Sequence, residues 1–254
     1  MLVSETKHSY DQKMKIINFL KELIPSSFKT NLRYRLGVPS QQKSFYNLKR
    51  LGFIPETVLD IGAYNGIWAT ELKKTFPAAQ ILMLEGQNAK KQILENVCRE
   101  NKGIDYQIAL LGASEKRVIF NIYDSASSIL EENNKTGALV EERTLSCLDK
   151  LLADTDFSKP DLIKLDTQGY ELEILKGGEK TLKNAQAVLM EVSMIDIYKE
   201  CPLVADVIVF MADRDFALYD ICSLMRRPLD SALFQSDFLF VKRSSTLRTN
   251  KRWI

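Results

Sequence analysis

From residue 57 onward, short apolar runs alternate with stretches of helical periodicity, and that alternation points to a mostly parallel sheet covered by helices. Thr57–Ile61 is a strand run that opens onto Gly62, and a helical pattern through Trp68 and Leu72 follows it, ending near Phe76-Pro77. Runs at 81–84 and 104–110 flank a helix carrying Ile93, Leu94 and Val97. Residues 117–123 alternate as a half-exposed strand does, and 124–143 read as a polar, irregular insertion. A helix at 147–152, a strand at 162–165, a helix from Tyr170 interrupted at Gly177-Gly178 and a strand at 187–192 continue the rhythm. After a helix at 203–211, the runs 216–224 and 233–241 lie too close together for a crossover helix and are expected to pair as an antiparallel hairpin. The expected fold is α/β: a doubly wound, mostly parallel seven-stranded sheet with a terminal antiparallel hairpin, preceded by an N-terminal helical arm.

Charge divides the chain into the same three parts. Residues 1–50 hold ten Lys/Arg against three Asp/Glu, 242–254 hold five basic residues and no acid, and the body between them is strongly acidic although the whole carries only +2. The domain expectation is a basic helical arm at 1–50, a ligand-binding body at 51–243 and a basic tail at 244–254. In the arm, Ile16, Ile17, Phe19, Leu20, Leu23 and Ile24 recur at helical spacing up to Pro25. Such an amphipathic helix is expected to dock on the body or on a second copy of the chain, making a homo-oligomer. No run approaches the roughly 20 apolar residues of a membrane-spanning helix, and Glu5, Lys7 and Asp11 stand where a signal peptide would be apolar, so the expected location is the cytoplasm. The four cysteines are scattered, and the single histidine, His8, rules out a serine–histidine triad or a cluster of imidazole metal ligands.

Doubly wound sheets bind ligands beyond the carboxyl ends of their strands, which directs attention to Asp60-Ile61-Gly62-Ala63-Tyr64-Asn65-Gly66. Glycines in such a turn let the backbone approach a ligand, and the helix N-terminus beyond offers unpaired N–H groups. Glu85 directly follows the next strand run, where a carboxylate accepts hydrogen bonds from a ribose diol. A nicotinamide dinucleotide calls for glycine where Tyr64 and Ile67 stand, and the short-chain dehydrogenase Tyr-x-x-x-Lys pair is missing. S-adenosyl-L-methionine has no phosphates and tolerates the bulkier turn, with Asp60 available to its charged amino-acid end. The site residues expected to hold it are Asp60, Gly62, Ala63, Asn65, Gly66 and Glu85.

A second constellation, residues 161–178, places Asp166 at the end of the fourth parallel strand, with Gln168 and Glu171 in the turn after it. With this run, the chain resembles the FkbM family of S-adenosylmethionine-dependent methyltransferases. The residues that carry the resemblance are Asp60 to Gly66, Glu85, the run 163–178, Glu191 and Asp237, within about 50–243. The resemblance implies a Rossmann-like methyltransferase fold and an O-methyltransferase acting on a hydroxyl of a sugar, glycan or secondary metabolite. It also implies substrate contacts at Gln168, where many members have Glu, and at Asp237.

Methyl transfer to a hydroxyl requires in-line placement and removal of a proton, for which a carboxylate can act as general base. Asp166 is the first candidate and Glu191, at the end of the neighbouring strand, the second. Asp237 with these two acids offers an alternative oxygen-rich set for a divalent cation, although no metal is expected. Ser125, Ser127 and Ser128 of the insertion are candidates to reach cofactor or acceptor, the alternative being a solvated loop. Two other functions remain open at this level. The basic ends suit a nucleic-acid methyltransferase, although Asp166-Thr167-Gln168-Gly169 stands where amino-methylating enzymes place an Asn/Asp-Pro-Pro-aromatic tetrad, so no nucleic-acid partner is expected. The other is a non-catalytic interaction protein on a cofactor-binding fold.

Overall fold

The computed structural model describes residues 36–123, 127–133, 137 and 139–253. The expected arm helix at 16–24 and Ser125 lie outside the described residues. From Ser40 on, the chain forms a compact unit. It begins with helix α1 (Gln41–Arg50), the last part of the basic segment, whose Phe45 and Leu48 are buried.

The main sheet is built from β1 (Thr57–Ile61), β2 (Gln80–Glu85), β3 (Ile104–Ile108), β7 (Leu162–Leu165), β8 (Ala187–Ser193), β9 (Phe216–Ile221), β10 (Met225–Arg226) and β11 (Leu233–Lys242). Its order is β10-β11-β8-β7-β1-β2-β3, with β9 also on β11. The five strands from β3 to β8 are parallel, and β11 runs antiparallel to β8 and β9. Strand order reverses between β1 and β7, which puts the crevice at the ends of those two strands. The sheet has eight strands rather than the expected seven because the outer strand beside β11 is broken into β9 and β10, with register shifts near Met225 and Leu239.

Alternate residues of each central strand feed opposite cores, as a two-residue side-chain period requires. Leu59, Ile61, Ile163, Leu165, Val188 and Met190 pack on the face covered by helices α4 (Leu148–Leu151), α5 (Glu171–Lys176), α6 (Glu179–Asn184) and α7 (Val204–Ala212). Val58, Leu162, Leu189, Leu239 and Val241 pack on the face covered by α1, α2 (Ile67–Thr75) and α3 (Lys91–Glu100). Both faces being apolar, the strand runs read as nearly continuous hydrophobic stretches.

Two expectations need correction. The run 104–110 is not one strand: β3 ends at Ile108, and Leu110–Leu111 turns away as β4 to join β5 (Arg117–Ile122) and β6 (Leu139–Ser146) in a separate three-stranded sheet of order β4-β6-β5. The insertion is not wholly irregular either, since β6 pairs antiparallel with β5. Of β6 only Leu145 is buried, so the strand lacks the apolar alternation that would announce it. Asn121 forms an isolated bridge with Ser128, which folds the described part of the insertion back over β5.

The break at Gly177-Gly178 has a steric cause. A Cβ on Gly177 would lie 2.1 Å from the backbone oxygen of Gly112, and Gly177 accepts the Asp149 amide at 3.0 Å. Its φ of −80° is ordinary for any residue, so helix propensity alone predicts that Gly177→Ala stabilises. Close packing predicts the reverse, a loss of about 1–3 kcal/mol. Chemical denaturation decides between the two, and a variant as stable as the parent would show that the contact yields at no cost.

Candidate active site

At the carboxyl ends of β1 and β7 the strand parity brings charge together. Asp60 and Lys164 are register partners across the β1–β7 pair, on the face that buries Val58 and Leu162. Asp60 is fully buried, and the Lys164 ammonium lies 3.2 Å from its Oδ1. The same ammonium donates to the Gly62 carbonyl at 3.0 Å and sits 3.6 Å from Asp166 Oδ2. Burial drives the Asp60 carboxyl upward against the pull of Lys164. For Lys164 burial pushes downward, but the charges of Asp60 and Asp166 outweigh it and hold the ammonium protonated. Asp60 borders neither of the two cavities beside it. Its place is beneath the glycine turn, which it reaches through Lys164.

The turn is compressed against the neighbouring strand. Gly62 has φ +77°, and a Cβ there would lie 1.9 Å from the Asp166 carbonyl oxygen. Tyr64 follows at φ +50°, an uncommon conformation for a side chain of its size. Glu85, 5% exposed, ties this turn to the end of β2. Its Oε2 accepts the Tyr64 amide at 2.7 Å and its Oε1 the Gln87 amide at 2.8 Å. Burial raises the Glu85 carboxyl, opposed by those two amides.

Two cavities meet at this point, sharing Gly62, Tyr64 and Asp166 in their walls. One, of about 360 Å³, has an apolar side that includes Leu84, Leu110 and Phe120 and a polar side of Glu85, Asp166, Gln168, Glu191 and Gln235. Ser127 and Ser128 of the insertion border it as well. The other, of about 430 Å³, lies against α1 and α2 and includes Gln41, Ala63, Asn65, Trp68 and Lys164. Asn65 Oδ1 is buried there without a hydrogen-bond partner among the described residues. Gly66, φ +71°, caps α2 and lines neither cavity.

The acids at the ends of β7 and β8 are joined by one amide. Gln168 Nε2 donates to Asp166 Oδ1 at 2.9 Å and to Glu191 Oε2 at 2.8 Å, and Gln235 Nε2 adds a second donor to the same Glu191 oxygen at 2.8 Å. Glu191 keeps part of its surface toward the cavity although it is enclosed on its other sides. Burial raises its carboxyl well above the ordinary glutamate range, and the charges of Asp166, Glu171 and Asp237 push the same way against Lys164. Glu171 is turned inward, with Oε1 accepting the Thr167 amide at 2.8 Å and the Gly169 amide at 3.2 Å, so it braces the turn. Asp237 stands opposite Glu191 in the β11–β8 register, borders neither cavity and accepts Gln41 Nε2 at 2.7 Å. Asp237, where a substrate contact is expected, is thus linked to α1. Among the described residues, no group of three or more His, Cys, Asp and Glu side chains is placed to hold a metal ion, which leaves Asp166, Glu191 and Asp237 without the geometry of a cation site.

Sequence reasoning passed over Lys164, Gln235 and Tyr198, whose hydroxyl donates to Gln168 Oε1 at 2.7 Å. For Lys164 the signal was present, a lone cation inside the apolar run Leu162–Leu165. The other two act across long sequence separations that no local pattern encodes.

The Methyltransferase FkbM domain matches residues 60–218, from the buried aspartate of β1 into β9. This chain belongs to the FkbM methyltransferase family. No curated protein sequence matches it. Among solved structures, an FkbM methyltransferase from Methylobacillus flagellatus KT is similar at 19% identity and a TM-score of 0.49, over 72% of this chain and 43% of that one. The present chain thus spans less than half of that protein. A precorrin-6y C5,15-methyltransferase from Geobacter metallireducens GS-15 aligns at 11% identity and TM-score 0.46, over 79% of this chain and 87% of that one. A magnesium protoporphyrin IX methyltransferase from Synechocystis PCC 6803, solved with bound SAM, aligns at 11% identity and TM-score 0.46, over 79% and 76%. Among the described residues of this FkbM-family chain, no helix is long and apolar enough to cross a membrane.

The charge arrangement makes two predictions. Lys164→Met leaves the buried Asp60 carboxylate without its cation and should cost about 3–5 kcal/mol, most of which Asp60→Asn added to it restores; a double mutant no better than the single would exclude the pair as the cause. For Glu191 the folded state holds the proton more tightly than the unfolded chain, so its contribution to stability falls as pH rises from the ordinary glutamate range through the raised value. Glu191→Gln should therefore raise Tm relative to the parent at pH 8 but not at pH 4. Equal differences at both pH values would contradict the raised carboxyl.

Proposed function

We propose that this chain uses S-adenosyl-L-methionine to methylate a hydroxyl of a sugar, glycan or secondary metabolite, the acceptor class that the family resemblance implies. The observation that carries the reading is Glu85. It lines a cavity of about 360 Å³, a size suited to a small cofactor, and among the described residues each of its oxygens accepts one hydrogen bond, from a backbone amide. A carboxylate has about four acceptor sites, so capacity remains for the two hydroxyls of a ribose. Gly62 and Ala63 keep the turn close, and Asn65 Oδ1 offers a buried acceptor without a hydrogen-bond partner among the described residues. These residues fit the cofactor, with Gly66 shaping the turn and Asp60 acting beneath it. When bound, the cofactor supplies an electrophilic methyl group on a sulfonium.

The acceptor's hydroxyl must lose its proton as it attacks, and the chain offers Asp166 and Glu191 for that task. The structure favours Glu191 as the proton acceptor. A general base works best when its proton affinity approaches that of the working pH, and burial among Asp166, Glu171 and Asp237 moves Glu191 in that direction. Asp166, on the seam between the cavities and fixed by Gln168, orients the hydroxyl. Gln168 itself spends its amide donors on the two acids, so its influence on the acceptor passes through them.

Glu85→Ala should weaken binding of S-adenosylhomocysteine at least tenfold, about 1.4 kcal/mol, in calorimetric titration; a folded variant with parental affinity would remove Glu85 from the cofactor site. Once screening of sugars and hydroxylated metabolites has found an acceptor, Glu191→Gln should lower kcat by about 10²-fold or more with cofactor affinity little changed. If Asp166→Asn is the variant that abolishes turnover while Glu191→Gln retains it, the base is Asp166.

A further inference from the structure

Among the described residues, Gln168 is the one side chain hydrogen-bonded to both acids, and its orientation is tied to what lies behind it. Its NH₂ group donates to Asp166 Oδ1 and Glu191 Oε2, the arrangement that suits carboxylates as acceptors, and its Oε1 turns away from them. Away from the cavity that oxygen meets the hydroxyl of Tyr198 at 2.7 Å. Tyr198 is 1% exposed and packs with Ile197, Cys201 and Leu130, and its backbone forms an isolated bridge with Glu132 of the insertion. The Gln168 backbone is held too. It takes a left-handed conformation, φ +57°, and its carbonyl accepts Ser128 Oγ at 2.8 Å. Glu191 Oε2 thereby receives two amide donors, from Gln168 and Gln235, while Oε1 accepts no hydrogen bond among the described residues.

We propose that Tyr198 is a positioning residue: through Gln168 it fixes which Glu191 oxygen is occupied by amide donors and leaves Oε1 as the proton-accepting atom. The inference rests on the reading of Glu191 as the base. Tyr198 touches neither cavity wall and takes no proton itself; it acts by keeping the Gln168 amide from rotating. The groups that set the proton affinity of Glu191 are Asp166 and Lys164 from the β7 end, Glu171 from α5 and Asp237 from β11. Tyr198→Phe changes none of these charges. A movement of the Glu191 titration in that variant that Gln168→Leu reproduces reports the hydrogen-bond relay.

The test is a carbon-13 NMR titration of the full chain labelled at glutamate side-chain carboxyls, with the Glu191 signal assigned by its loss in Glu191→Gln. A hydrogen bond donated to the ionised form lowers a carboxyl's proton affinity, so loosening Gln168 should raise it. In Tyr198→Phe the Glu191 midpoint should move up by about half a pH unit or more, with S-adenosylhomocysteine affinity within threefold of the parent. A midpoint equal to the parent's in folded Tyr198→Phe would overturn the proposal. Should Tyr198→Phe fail to fold, Gln168→Leu, which removes the bridging donor, takes its place, and an unmoved Glu191 midpoint there would overturn it equally. If the parent fails to bind S-adenosylhomocysteine, the methyltransferase reading falls, whereas the midpoint shift still decides whether Tyr198 controls Glu191.

Discussion

Everything at the functional edge of this sheet is referred to one buried cation. The Lys164 ammonium meets the Asp60 carboxylate at 3.2 Å, the Gly62 carbonyl at 3.0 Å and Asp166 at 3.6 Å, so it joins the two strands between which the sheet reverses its winding. A single charge so placed is hard to replace. Burying a carboxylate alone is costly, and removing one member of a buried pair costs more than the pair contributes, because the survivor is left desolvated and unpaired. The close passage of Gly62 beneath the Asp166 carbonyl follows from this link, since the ammonium that binds the Gly62 oxygen draws the two strand ends to one point.

Parity explains why so many acids converge. Val58, Met83, Leu162, Leu189 and Leu239 face the same core. Two residues further along each strand, or two before it in the antiparallel β11, the same face presents Asp60, Glu85, Lys164, Glu191 and Asp237 at or near the carboxyl edge. Three members of that row, Asp60, Glu85 and Glu191, were legible in the amino-acid sequence as acids at or near the ends of apolar runs, whereas Lys164 was passed over. The strands of the main sheet and the helices between them were legible for a related reason, because burial on both faces leaves long uninterrupted apolar runs.

What could not be read has physical reasons as well. β6 is exposed along most of its length, so burial imposes no pattern on it. The outer strand is bent by register shifts and divides into β9 and β10, which local composition does not announce. The pairing of Asp60 with Lys164 and of Asp237 with Gln41 likewise joins residues far apart in the chain. Tyr198 and Gln235 reach Gln168 and Glu191 only through the tertiary fold. A hydroxyl or amide of this kind is common in any sequence, and its importance comes from what it is brought against.

The small sheet is anchored at its root. Leu110 and Leu111 pair with Leu145 and Ser146, and Arg143 donates to the Gly86 carbonyl at the cavity rim. Because both ends of the segment from 112 to 144 are pinned side by side, its length can change with an entropy of closure that grows only slowly with the number of residues. Apart from Ser128 on the Gln168 carbonyl and the bridge from Glu132 to Tyr198, the wall over the cavity is thus separable from the floor that holds the acids. An evolving lineage can rebuild that wall, and with it the molecules admitted, while the strands beneath keep their register.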